Sequence, residues 1–386
     1  MKILFVIGTR PEAIKTAPIL HELRRWPGRA EVKVCVTGQH REMLDQALSL
    51  FDIRPDYDLA VMRKGQTPAD VSARMLTGLE PVVVREKPDW VLVQGDTTTT
   101  VVAALVAFYN RVRVGHVEAG LRTGNTLQPF PEEMHRAIVG RLADLHFAPT
   151  ETARQNLLRE GIEPARIRMT GNTVVDAVRW VSALPAPPEV AAWLPAPSAR
   201  IVLVTMHRRE NFGASMERVC GALRDLAERY GDRLHIVFPL HLNPNAQGPA
   251  RRILSGMSNV SLVPPLDYLS LVHLMKRSHV VLTDSGGLQE EAPALGKPVL
   301  VLREVTERPE GVASGVAKVI GSDRKSVVEE TTRLLEDPAL HQRMARPLNL
   351  YGDGHAAERV VEALLDAHAD RGRCEQVPSV QQAGRA

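Results

Sequence analysis

The chain has 386 residues, 44% of them hydrophobic, and a formal net charge of +3. That length allows two ordinary domains with sizeable cores. The interspersed acids and bases leave no footprint of nucleic acid or of an anionic membrane, and an aromatic content of only 4% argues against a base-stacking surface.

The first apolar run, KILFVI (2–7), reads as a strand. It is short, and Arg10, Glu12 and Lys15 follow at once without a small-residue cleavage site, so it does not read as a secretory signal. No stretch approaches the ~20 apolar residues of a membrane helix. Cys35, Cys220 and Cys374 are far apart and show no zinc spacing. A soluble, cytoplasmic protein in a reducing compartment is expected. A helix follows from about Pro11 to Trp26, with Pro11 suited to a first turn. VKVCVT (32–37) is the second strand. Next come a long helix near 67–87, the strand ending WVLVQGD (90–96), an apolar helix around 98–110, and VRVGHVE (112–118). LHFAPT (145–150) and RIRMTGN (166–172) are shorter strands with a helix between them. Alternation of this kind means βαβ units and a parallel sheet.

The pattern breaks in the Pro- and Ala-rich stretch 183–198, read as a linker. It restarts with RIVLVTM (200–206), LHIVFPL (234–240), NVSLVPP (259–265), HVVLTDS (279–285), PVLVLRE (298–304) and AKVIG (317–321). The expected fold class is α/β: two Rossmann-like, doubly wound parallel-sheet domains, 1–182 and 199–354, around a cleft. A helix over about 355–370 is expected to pack back on the first domain, and 371–386 reads as a loose tail. Neither half carries GxGxxG or the P-loop pattern, which disfavours a dinucleotide site or an ATPase.

Two carboxylates stand at the ends of neighbouring strands, Asp96 and Glu118, and a third, Glu132, follows in PFPEE (129–133). In open parallel sheets ligands bind at the carboxyl ends of the strands, so these acids suggest acid/base chemistry. Asp96 could equally be a helix cap, and an acid in a first helical turn such as Glu132 is commonplace. Gly120 and Gly124 give the loop after Glu118 a special shape that a purely structural role explains less well.

Anion signals fall elsewhere. GTRPE (8–12) opens a helix directly after a strand, with Arg10 and Lys15 nearby, though a plain strand–helix turn reads as well. Ser285-Gly286-Gly287 stands where a buried strand enters a helix, which would suit a diphosphate, and Glu291 lies where it could accept from ribose hydroxyls. His207 in HRREN (207–211) and His241 in HLNPN (241–245) follow strands of the second half, as does Arg308 in TERPEG (306–311), where a solvent salt bridge is the ordinary reading.

The combined string carries more than its parts. GTRPEAIK (8–15), TGQHREMLDQ (37–46), QGDTTTT (94–100), GHVEAGLRTGN (115–125), PFPEE, GNTVVDA (171–177), HRREN, HLNPN, TDSGGLQEEAP (283–293), GKPVLVLR (296–303) and TERPEG occur in order. Over residues 2–355 the chain closely resembles the bacterial non-hydrolysing UDP-N-acetylglucosamine 2-epimerases. The resemblance implies the glycosyltransferase-B architecture and interconversion of UDP-N-acetylglucosamine and UDP-N-acetylmannosamine without NAD or metal, for cell-surface polysaccharide synthesis. It implies elimination of UDP to 2-acetamidoglucal and re-addition, because C2 is not next to a carbonyl. By position it implies Asp96, Glu118 and Glu132 as catalytic acids with His207 near the diphosphate. Arg10, Lys15, Ser285, Gly286, Gly287, Glu291 and Arg308 would hold UDP. Gln39, Arg41 and His241 would hold a second UDP-N-acetylglucosamine acting as activator, and a homodimer is expected. Leu266 and Leu271 replace the Gln and Phe of some relatives at the base, and Met206 replaces a Gly.

Overall fold

In the computed structural model the described residues are 1–375 apart from 39–40, 64, 195–198, 209–210 and 241–242; the side chains of 41–42, 245–246 and 370–375 are not described. The first sheet comprises β1 (Lys2–Ile7), β2 (Glu31–Val36), β3 (Tyr57–Asp58), β4 (Trp90–Gln94), β5 (Arg113–Val117), β6 (Leu145–Ala148) and β7 (Ile167–Met169). The second comprises β8 (Arg200–Thr205), β9 (Leu234–Pro239), β10 (Val260–Val263), β11 (Val280–Thr283), β12 (Val299–Val301) and β13 (Ala317–Val319).

Every strand pair is parallel, and the orders are β3-β2-β1-β4-β5-β6-β7 and β10-β9-β8-β11-β12-β13. Both sheets are therefore doubly wound. Each reverses its order once, between β1 and β4 and between β8 and β11, which opens a crevice at the carboxyl ends of those strands. The two-residue strand β3 was not expected from the sequence, because two residues carry no period to read.

Side-chain alternation assigns each strand residue to a layer. Ile3, Phe5 and Ile7 join a core that also takes in Leu203 and Val281 of the second sheet, so one apolar cluster runs across both domains. Leu4, Val6, Val91 and Val93 face the opposite layer, under the helices Pro68–Glu86 and Thr98–Tyr109.

Among its described residues the stretch 183–198 holds one short helix, Pro188–Ala192, whose Val190 is buried. The last helix runs Ala356–Glu375, five residues past the expected end at 370. The sequence RGRCE contains no proline, and a single glycine costs only about 1 kcal/mol in a helix, so nothing stops it there. Its Val360, Val361 and Leu364 are fully buried in the core that contains Ile14, Ala17 and Leu20 of the helix Arg10–Arg24. Asp176 of the helix Thr173–Ser182 accepts from the backbone N–H of Ala357 at 2.9 Å, giving the last helix a cap from the first domain.

Candidate functional site

Many of the residues singled out in the sequence gather at the two points where strand order reverses. Arg10 and Lys15 follow β1 and Asp96 follows β4, while His207 follows β8 and Ser285 to Glu291 follow β11. The two sets face one another across a cavity of about 350 Å³, lined among others by Arg10, Lys15, His207, Ser285, Gly287 and Glu291. Leu266, Tyr268 and Leu271 form part of its apolar wall. Asp96, Glu118 and Glu132 do not line it, and Glu118 lies against Lys15 of its wall.

Glu118 is the hub. It follows β5 directly and holds φ at +62°, a left-handed conformation that costs a non-glycine residue energy and is found most often at functional sites. Gly120, at φ +90°, lets the same loop pass the helix Glu151–Arg159: a Cβ there would stand 2.2 Å from the Ala153 carbonyl oxygen. Oε2 of Glu118 pairs with Lys15 Nζ and accepts from Gln94 Nε2 at 3.0 Å and Asn172 Nδ2 at 3.1 Å. Oε1 accepts from Arg308 Nη2 at 3.2 Å. Burial acts to raise the Glu118 pKa, but Lys15 and Arg308 outweigh it and hold the carboxyl below its usual range.

Asp96 accepts from Arg136 Nε at 2.8 Å and pairs with Arg136 Nη2 at 2.7 Å. Burial opposes ionisation here too, and the guanidinium wins, so its pKa lies below the ordinary value. The Asp96 carbonyl accepts from His135 Nδ1 at 2.8 Å, and the Gly95 carbonyl from His116 Nε2 at 2.7 Å. Burial pushes His116 down to about 4, so the imidazole is neutral and donates. His116 does not pair with Glu118; it holds the turn that carries Asp96. Glu132 opens the helix Glu132–Leu142 with Oε2 buried and without a hydrogen-bond partner. Its neighbour Glu133 is the structural member of the pair, accepting from the N–H groups of Thr123 and Gly124 at 3.0 Å each and bonding Arg136 at 3.0 Å.

Two expectations about anion binding change. The N–H groups of Gly8 and Thr9 are not free: both donate to buried Glu12, at 2.9 and 2.6 Å. The Thr9–Glu12 spacing is a capping box, the sequence signal that reveals this. Arg308 is not a solvent salt bridge. It is 5% exposed and reaches Glu290 at 2.7 Å, Glu307 at 2.7 Å and Glu118. Gly286 makes room for this cluster, since a Cβ would stand 3.0 Å from Glu307 Oε1 and 3.1 Å from Arg308 Nη1.

On the second-domain side, His207 Nδ1 lies 3.1 Å from Asp284 Oδ1, with about half of its side chain exposed. Asp284 also accepts from the backbone N–H groups of His207 and Arg208 and from Asn211, which shapes the HRREN loop. Arg10 Nη1 donates across the cleft to the Leu266 carbonyl at 2.9 Å. Burial pushes Glu291 up to about 7, with Lys15 pulling the other way. Gln39 and His241 lie outside the described residues, as does the Arg41 side chain, though Arg41 begins the helix Arg41–Leu50. Gln94, Asn172, Glu290 and Glu307 escaped the sequence reading as site residues. For Asn172 the signal was its place in GNTVVDA; buried Glu290 stood one residue before the Glu291 that was chosen.

Two facing parallel-sheet domains with a cleft at both switch points define a protein of the glycosyltransferase-B architecture. The same fold occurs in the glycosyltransferase SnogD from Streptomyces nogalater, at a TM-score of 0.55 and 16% identity over 97% of this chain and 99% of that one. Within that architecture the chain belongs to the UDP-N-acetylglucosamine 2-epimerase family, whose model matches residues 21–365. It is 54% identical to the UDP-N-acetylglucosamine 2-epimerase of Escherichia coli (strain K12), over 94% of this chain and 98% of the relative. A Neisseria meningitidis UDP-GlcNAc 2-epimerase, solved bound to UDP-GlcNAc, superimposes with a TM-score of 0.90 at 46% identity, covering 95% of this chain and all of that one. Among the described residues no helix is long and apolar enough to cross a membrane.

Proposed function

We propose that this chain interconverts UDP-N-acetylglucosamine and UDP-N-acetylmannosamine by elimination and re-addition. The observation that carries this reading is the Lys15–Glu118–Arg308 cluster, which joins a carboxylate held ionised to cations at the edge of a cleft of nucleotide-sugar size. A base takes the C2 proton and the C2–H electron pair becomes the C1=C2 bond. The C1–O bond breaks, and its electrons leave with UDP. Re-addition reverses each step with the proton delivered to the other face of C2.

Such a route needs a base, an acid and stabilisation of the departing diphosphate. Asp96 and Glu118, ionised near neutral pH, and Glu132, with its unpartnered oxygen, are the candidates for proton handling. His207, Arg10, Lys15, Ser285, Gly286, Gly287 and Arg308 are the candidates for the diphosphate, Glu291 for the ribose, and Leu266 and Leu271 for the uracil. The reading includes a cytoplasmic setting, supply of cell-surface polysaccharide synthesis, and an activating second UDP-N-acetylglucosamine at Gln39, Arg41 and His241. It also includes a homodimer, for which exposed Val84, Phe108, Tyr109, Met134 and Ile138, on three helices, are candidate contacts.

The test is incubation with UDP-N-acetylglucosamine in heavy water, followed by proton NMR. Deuterium at C2, the manno epimer and retained UDP-sugar are expected. A C2 that keeps its proton with no epimer sinks the reading, and stoichiometric free N-acetylmannosamine with UDP replaces it by a hydrolytic one.

A further inference from the structure

Asn172 stands where two carboxyl groups from different domains converge. Its Nδ2 donates to Glu118 Oε2 at 3.1 Å and also to Glu290 Oε2. The orientation of the amide is fixed, because Oδ1 accepts from the Val174 backbone N–H at 3.1 Å as the N-cap of the helix Thr173–Ser182. The Asn172 backbone N–H donates to the Tyr351 carbonyl at 2.5 Å, so the residue is also tied to the segment that leads into the last helix. Asn172 is 1% exposed and does not line the cleft. It therefore touches the chemistry only through Glu118.

We propose that Asn172 is a positioning residue for Glu118, fixing Oε2 of that carboxylate so that Oε1, held only by Arg308, is the oxygen that meets the sugar. Oε2 already receives Lys15, Gln94 and Asn172, which fills its acceptor capacity. Oε1 receives a single bond, from a guanidinium that also pairs with Glu290 and Glu307. When a diphosphate competes for Arg308, Oε1 is the oxygen released.

The same amide keeps two carboxyl groups apart electrically. Glu118 is faced by Lys15, Arg308, Asp96 and Glu290, and two adjacent carboxylates cannot both ionise cheaply. Burial and the charge of Glu118 raise the Glu290 pKa, with Arg308 opposing, while Lys15 and Arg308 hold that of Glu118 down. Asn172 donates to both carboxyl groups.

The inference rests on the proposed role of Glu118 at C2, and the experiment separates the two. Asn172→Ser keeps a capping oxygen and removes the amide donor. In the C2 exchange assay its kcat is expected to fall roughly 10- to 100-fold, as misplacing a reacting group by about 1 Å does. UDP affinity should stay within about twofold of the parent. The acid limb of the kcat profile should move to higher pH, because the carboxylate has lost a donor. A purely structural role would lower the melting temperature without moving that limb. Asn172→Asp supplies a second variant with the cap intact: its added charge should move the acid limb up by about one pH unit or more. If the parent exchanges C2 while both variants match its kcat within about twofold with the limb in place, the positioning role is overturned. A parent that does not exchange C2 overturns the proposed function and this inference with it.

Discussion

Arg308, in the loop after the second sheet's β12, donates to Glu118, at the end of the first sheet's β5, with Nη2 3.2 Å from Oε1. Both residues are nearly inaccessible to solvent, so the contact ties the domains by a desolvated ion pair. Arg308 keeps Glu290 and Glu307 when Glu118 is removed, but Lys15 loses the carboxylate it is ion-paired with and is left as a buried charge, which costs about 3–5 kcal/mol. Glu118→Gln should therefore lose epimerisation and also show a clearly lower melting temperature. A variant with the parent's melting temperature would mean that Lys15 and Arg308 find other partners.

Among the described residues Asp96 is ion-paired with Arg136 alone, and its own side chain is 26% exposed. Asp96→Asn should leave UDP affinity nearly intact, read by calorimetry, while C2 exchange falls about 10²-fold or more, as loss of a positioned acid or base does. Unchanged exchange would take Asp96 out of the reaction.

Glu291 titrates upward to about 7, so the folded state favours its neutral form. Its contribution is then most favourable below the carboxyl's unfolded value and is lost as pH rises through about 7. A shift of this size corresponds to about 3 kcal/mol. Glu291→Gln should melt higher than the parent at pH near 8 and no higher at pH near 4, with weaker UDP binding at both. A stabilisation that did not grow with pH would contradict the assignment.

His116 supplies the only side-chain donor recorded to the Gly95 carbonyl among the described residues. His116→Leu leaves that carbonyl without its donor, a loss of about 1–3 kcal/mol, and lets the Asp96 turn shift. Turnover should fall with little change in KM. A rise in KM instead would place His116 nearer the bound sugar than its contacts indicate.

The base site offers a gain. Leu266 contributes its backbone carbonyl to Arg10, a contact any residue can make, whereas Leu271 contributes only an apolar surface to the cleft. Leu271→Phe should tighten UDP roughly fivefold through ring stacking worth about 1 kcal/mol. Unchanged affinity would place uracil away from this wall.

The sheets were legible because buried parallel strands read as apolar runs; β7 and β10 are less buried but were found from their place in the alternation, and β3 was not found. Strand order was not legible. It depends on which crossover packs on which face, yet it is what brings His207 and Ser285 into one crevice. Asp96 and Glu118 could be found from their places at strand ends. Lys15 was found for its charge, but its partner proved to be Glu118. Glu290 and Asn172 were missed because their significance lies in contacts between segments 118 residues apart, which no local pattern encodes.

The helix Ala356–Glu375 has a consequence for how the chain is made. Part of the apolar face of the helix Arg10–Arg24 is covered by Val360, Val361 and Leu364. During synthesis these residues follow every strand of the second sheet. The first domain is thus completed only after the second has been translated.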